Sequence, residues 1–188
     1  YRDEFASDYA WLIDTFRRTN PAVKIFICRL TPIASGHSRF LSGTRDWFWQ
    51  IQEIIPQIAK ANHATLIDLH TPLYSRPDLL PDHIHPNEAG SGIIANTIYQ
   101  QLSGNYGGLQ LPPVFAAHMV LQRHKPIPFY GKANAHQKVR IQFAGKTQQT
   151  TTTADGNWKL SFPALKAGGP YTAIIEAGDK KITLTDIL

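Results

Sequence analysis

The chain has 188 residues, 43% hydrophobic, 11% aromatic and 18% charged, a balance that offsets ordering entropy by burial, excludes global disorder and fits one or two domains. A net charge of +5 raises the question of nucleic acid, yet Lys and Arg are scattered, with Arg17-Arg18 and Lys180-Lys181 the adjacent pairs, so a solvated basic surface and no nucleic-acid partner are expected. No apolar run reaches the roughly 18 residues that a membrane span needs, and no basic-then-apolar leader opens the chain.

Phe5, Tyr9, Leu12, Ile13 and Phe16 recur at helical spacing. Asn20-Pro21 stops that helix, and Val23 to Cys28 reads as a buried strand. Cys28, the single cysteine, has no internal disulfide partner and is expected to pack as a small hydrophobe. A second helix is predicted from about Arg45 to Asn62, a short strand from Ala64 to Leu69, and a third helix from Asn87 to Leu102 with Ile93, Ile94, Ile98 and Leu102 toward one face. Alternating helices and strands describe an α/β unit with parallel strands. Two strands are far below the roughly five of an average sheet, so this half reads as part of a larger unit.

The pattern changes after Leu102. Ser103 to Gly108 is turn-rich and Leu111-Pro112-Pro113 closes it, which marks 104–113 as a linker. Beyond it, Val139 to Phe143, Gln148 to Thr153, Trp158 to Phe162, Tyr171 to Glu176 and Lys181 to Thr185 alternate with period two. Ala144-Gly145-Lys146, Asp155-Gly156-Asn157 and Ala177-Gly178-Asp179 read as hairpin turns between them. The expectation is an antiparallel β-sandwich. Trp158 and Phe162 share a strand face and should fill its core, while Trp158, Tyr130 and Tyr171 are the candidates for stacking on sugars. Trp47 and Trp49 are assigned first to core or interdomain packing and second to substrate contact.

The stretch Leu80-Pro81-Asp82-His83-Ile84-His85-Pro86-Asn87-Glu88-Ala89-Gly90 lies between the second strand and the last helix. Asp82 and His85, three apart on a loop, can set a carboxylate against an imidazole, fixing its tautomer and supporting the imidazolium formed in acyl transfer. Alternatively, Asp82 is a turn residue and Asn87 a helix cap. A third reading has Asp82, His83 and His85 bind a metal, although His63, Asp68 and His70 lack convincing ligand spacing.

This stretch resembles the SGNH, or GDSL-type, hydrolases, in which Asp-x-x-His-Pro precedes the final helix and supplies two members of a Ser-His-Asp triad. The likeness extends over residues 1–103, including Asn20-Pro21-x-x-Lys24 and Leu30-Thr31-Pro32. It implies His85 as general base, Asp82 as its orienting partner, no cofactor, and a partial three-layer α/β unit. His83 departs from the family, which often has a small residue such as glycine there. The family's serine sits in a Gly-Asp-Ser or Gly-Gln-Ser setting, and neither Ser35, Ser38, Ser42, Ser75 nor Ser91 has it. The nucleophile and oxyanion donors are therefore expected outside residues 1–188, and the isolated chain is expected to be inactive.

Leu111 to Arg123 with the run Met119-Val120-Leu121-Gln122-Arg123, then Lys125 to Gly131, Asp155 to Trp158 and Leu165 to Tyr171 are similar to the β-domain of bi-domain sialate O-acetylesterases. That resemblance implies domains at 1–103 and 114–188, followed by a second catalytic domain. It implies a substrate of O-acetylated sialic acid or a related acetylated sugar, and a periplasmic or secreted bacterial protein. A non-catalytic carbohydrate-binding or scaffold region between catalytic domains is the alternative.

Overall fold

The computed structural model describes residues 4–34 and 44–188, excluding the side chains of residues 44–46. The chain divides into two compact units, Tyr1–Ile98 and Tyr99–Leu188.

The first unit runs α1 (Phe5–Thr19), β1 (Phe26–Cys28), α2 (Thr44–Ala61), β2 (Thr65–Ile67), the short α3 (Thr71–Tyr74), a 3-10 turn (Pro77–Leu79) and α4 (Glu88–Ser103), whose last residues pass into the second unit. The strands are parallel, Phe26 opposite Thr65 and Cys28 opposite Ile67. Ile13 of α1, Ile27 of β1 and Ile55, Ile58 and Ala59 of α2 form the core, with Phe5 and Tyr9 packed against it. The apolar stripe of α1 is only partly used: Leu12 is 45% and Phe16 54% exposed. On α4, Ile93, Ile94 and Ile98 are half-buried whereas Leu102 is exposed. Both strands are shorter than the apolar runs that predict them, because pairing involves three residues of each. Cys28 is half-buried, and burial pushes its thiol pKa up.

The second unit holds two antiparallel sheets. β3 (Ile127–Lys132) pairs with β6 (Asn157–Phe162), and β5 (Lys146–Thr151), β4 (Lys138–Phe143), β7 (Tyr171–Ala177) and β8 (Lys180–Ile187) form the other in that order. Alternate side chains from both sheets meet in one apolar cluster: Ile127, Phe129, Trp158 and Phe162 from the pair, and Ile141, Phe143 and Ile175 among those from the four. Phe129 is fully buried, with ring centroids 5.4 Å from Phe143 and 5.8 Å from Phe162. The β4–β5 and β7–β8 turns are hairpins, as read from sequence. Asp155-Gly156 is not a hairpin turn: β5 pairs with β4 and β6 with β3, so it carries the chain from one sheet to the other. Gly156 has φ +70°, and a Cβ there would lie 2.5 Å from the Ala133 carbonyl oxygen and against Tyr106, so the turn needs glycine.

The stretch 104–113, expected to be a linker, packs into this unit. Tyr106 and Leu109 are buried, the Asn134 side chain accepts from the amides of Tyr106 and Gly108, and Gln110 exchanges backbone hydrogen bonds with Lys132. Gly131 makes that approach possible, since a Cβ would lie 2.3 Å from the Gln110 carbonyl oxygen and 2.9 Å from the Trp158 ring.

Phe129→Ala should destabilise the second unit by about 3–5 kcal/mol, through lost transfer energy and the cavity left among its neighbours. Urea unfolding followed by resonances of β3 and β7 measures it. A change below about 1 kcal/mol would mean that the two sheets do not depend on this ring.

Candidate functional site

The loop that carries Asp82 and His85 is built from below. After β2, the Asp68 carboxylate accepts from the amides of His70 (3.0 Å) and Thr71 (3.1 Å), which turns the chain into α3, and it faces Arg29 of the neighbouring strand end at 3.5 Å. Hydrogen bonds from Thr71 and His70 and the charge of Arg29 hold its carboxyl below the usual range in spite of burial. Leu73, Leu79 and Leu80 are buried and fix the descending chain. The Asn87 amide then donates to the Leu79 carbonyl at 2.9 Å and closes the loop at its base.

Within the closed loop, Asp82 uses both carboxylate oxygens. Oδ1 accepts from the backbone amides of Ile84 (3.0 Å) and His85 (2.7 Å), while Oδ2 meets His85 Nδ1 at 2.6 Å. One carboxylate thus closes the turn and also meets the imidazole. The imidazole partner, followed by the two amides, holds the carboxyl far below the usual carboxylate range. With Nδ1–H donated to an ionised Asp82, Nε2 of His85 is left as the acceptor, the tautomer a general base requires. The pair is open to solvent, with the side chains of His85 and Asp82 79% and 54% exposed.

Asn87 caps α4, its Oδ1 accepting from the Gly90 amide at 3.0 Å, and its Nδ2 donates to the Asp78 carbonyl at 3.2 Å. A Cβ on Gly90 would lie 3.0 Å from Pro86 Cβ and 3.1 Å from the Leu79 carbonyl oxygen, so glycine lets the helix start sit against the loop's base. His83 stands at φ 70°, and its carbonyl accepts from Ala34 at 2.9 Å, which ties this loop to the one after β1.

Ser35, Ser38 and Ser42 lie outside the described residues. Ser75 and Ser91 are exposed, and among the described residues Asp82 is the side chain that hydrogen-bonds the His85 ring. Also among the described residues, no three His, Cys, Asp or Glu side chains gather as a metal site. Trp47 and Trp49, expected to be packed, are 55% and 38% exposed, and Trp49 joins Tyr74 around the buried His70 ring. Burial, then the charge of Arg29, pushes the His70 pKa down.

The second unit contains a His-Asp pair that sequence reading missed. His118 Nδ1 lies 2.6 Å from Asp186 Oδ2 across 68 residues of sequence. Both residues have positive φ, and the β7–β8 register shifts beside Asp186. No spacing rule signals such a pair.

Residues 2–93, the span that contains the Asp82–His85 loop, match the sequence profile described as the GDSL-like Lipase/Acylhydrolase family. Among solved structures, the chain is similar to a carbohydrate acetylesterase from Xanthomonas citri, with 32% identity over 42% of this chain and 18% of that one at a TM-score of 0.41. It is also similar to the esterase domain of the ORF1 protein of a zebrafish retrotransposon, with 26% identity over 55% of this chain and 60% of that one at a TM-score of 0.46. The chain therefore spans less than two thirds of either protein. No curated protein matches it significantly.

Asp82 carries its hydrogen bonds only while ionised. Because its folded pKa is depressed, its hold on the loop is complete above the unfolded value of about 3.9 and is lost as pH falls through the folded value. The side-chain carboxyl carbon shift of Asp82 should stay constant from neutral pH to about 5 and move only in strong acid, where the Ile84 and His85 amides follow it. Amides that titrate with an ordinary carboxylate midpoint would show that the carboxylate does not close the loop. Gly90→Ala should cost about 1–3 kcal/mol and shift the same amides, by pushing the helix start off Leu79.

Proposed function

We propose that the intact polypeptide is a carbohydrate esterase that removes O-acetyl groups from sialic acid or a related acetylated sugar by a Ser-His-Asp mechanism. The 2.6 Å contact between His85 Nδ1 and Asp82 Oδ2 carries the reading. The family match over residues 2–93 supports ester hydrolysis. The Met119 to Arg123 and Lys125 to Gly131 runs support the sialate type, with a β-sandwich module lying between two catalytic domains. Export to the periplasm or cell surface follows from that substrate class.

In this scheme a serine supplied from outside residues 1–188 attacks the acetyl carbonyl, and Nε2 of His85 takes its proton. The tetrahedral oxyanion collapses, the C–O bond to the sugar breaks, and His85 returns the proton to the departing sugar hydroxyl. Water then attacks the acetyl-enzyme with His85 again as base, which releases acetate and restores the serine. Asp82 stays ionised throughout and stabilises the imidazolium. Free donors for the oxyanion also come from the remainder of the polypeptide.

Acetate release from 9-O-acetylated sialic acid by the full-length protein tests this. His85→Ala should lower kcat by about a thousandfold or more with little change in KM, and Asp82→Asn by a comparable factor. Full activity in His85→Ala, with activity abolished by a serine knockout in a downstream domain, would make this region a scaffold.

A further inference from the structure

The outer face of the β3–β6 pair combines an exposed tyrosine with two lysines. Alternation sends Phe129 and Trp158 inward and leaves Tyr130, Lys132, Asn157 and Lys159 outward. Tyr130 stands directly opposite Lys159, and Lys132 opposite Asn157. Tyr130 is 42% exposed and braced by Phe115 in a T-shaped contact at 5.0 Å. Lys132 is held with Nζ 5.5 Å from the Tyr106 ring centroid. Tyr130, Asn157 and Lys159 line one shallow, open depression, and Tyr130, Lys132, Asn157 and Gln110 line a second that shares Tyr130, Gly131 and Asn157 with it.

Three properties define what fits. Among the described residues no carboxylate lines either depression and neither Lys132 nor Lys159 has an ion-pair partner, so positive charge predominates on this face, offset in part by Asp155, whose charge reaches Tyr106. An exposed, braced tyrosine offers a flat surface to the C–H face of a ring at low entropic cost. The amides of Asn157 and Gln110 supply donors and acceptors at the rim that suit neighbouring hydroxyls. Trp158, which lines the depression beside Lys159, has a buried indole N–H without an acceptor among the described residues.

We propose that Tyr130, Lys132, Asn157 and Lys159 form a binding site for an acidic monosaccharide unit, the ring stacked on Tyr130 and its carboxylate held between the two ammonium groups. The site is non-catalytic and stands on the second unit alone. Its failure and the failure of the esterase reading are therefore separable, because binding is measured with a sugar that carries no acetyl ester.

The test is titration of the full chain by heteronuclear NMR with N-acetylneuraminic acid, its neutral methyl ester, and acetate. The acid should bind with a Kd on the order of 1 mM and shift amides of β3 and β6. The methyl ester, and the acid against Lys159→Gln, should each bind about fivefold more weakly; the acid should bind Tyr130→Ala about tenfold more weakly. No shift on β3 or β6 up to about 20 mM acid overturns the proposal. So does equal binding of acid and methyl ester, or an acetate response of the same size at the same amides, since these would leave stacking alone or simple anion attraction.

Discussion

The carboxylate of Asp82 is the constraint on which the candidate site depends. One oxygen closes the turn through the amides of Ile84 and His85 and the other holds the His85 ring, so backbone shape and imidazole orientation are a single state. The surrounding structure serves to present that carboxylate. Asp68 redirects the chain after β2, buried Leu79 and Leu80 anchor it, and Asn87 joins the loop's base to the start of α4. A carboxylate–imidazole pair on an exposed loop is made reproducible by neighbours that are buried or hydrogen-bonded.

The second unit is organised by size rather than charge. Large rings from both sheets meet at Phe129, and the chain can close over them only where a side chain is missing, at Gly131 and Gly156. The same closure brings in residues 104–113: the Gln110 backbone pairs with Lys132 because Gly131 presents no Cβ. Turn-rich composition at 104–108 therefore encodes a set of backbone reversals that feed a packed edge.

Much of this was legible from residues alone. Helix positions, the period-two strands and the Asp82–His85 pairing follow from local spacing, and the structure places each close to where spacing puts it. What escaped was decided by partners distant in sequence. Leu12 and Phe16 satisfy the helical period yet stay exposed, because periodicity gives a face and not what meets it. Asp155-Gly156 has hairpin chemistry, but turn residues specify a reversal without specifying which sheet the next strand joins. The His118–Asp186 contact depends on a register shift in β8 that no local pattern announces. Assigning Trp158 and Phe162 to the core succeeded for the opposite reason: alternation along a single strand was enough.

His83 is exposed and, among the described residues, its ring takes part in no hydrogen bond, yet its backbone sits at φ 70° with its carbonyl engaged by Ala34. In a saturation library this codon would sort variants by backbone preference alone. Glycine, asparagine and aspartate would be enriched, and valine, isoleucine and threonine depleted, because branching at Cβ is costly in the left-handed region. Solvent accessibility would rank the position among the freest on the loop, and sequencing counts would rank it among the most selective. The histidine found in this chain is one answer to that torsional demand.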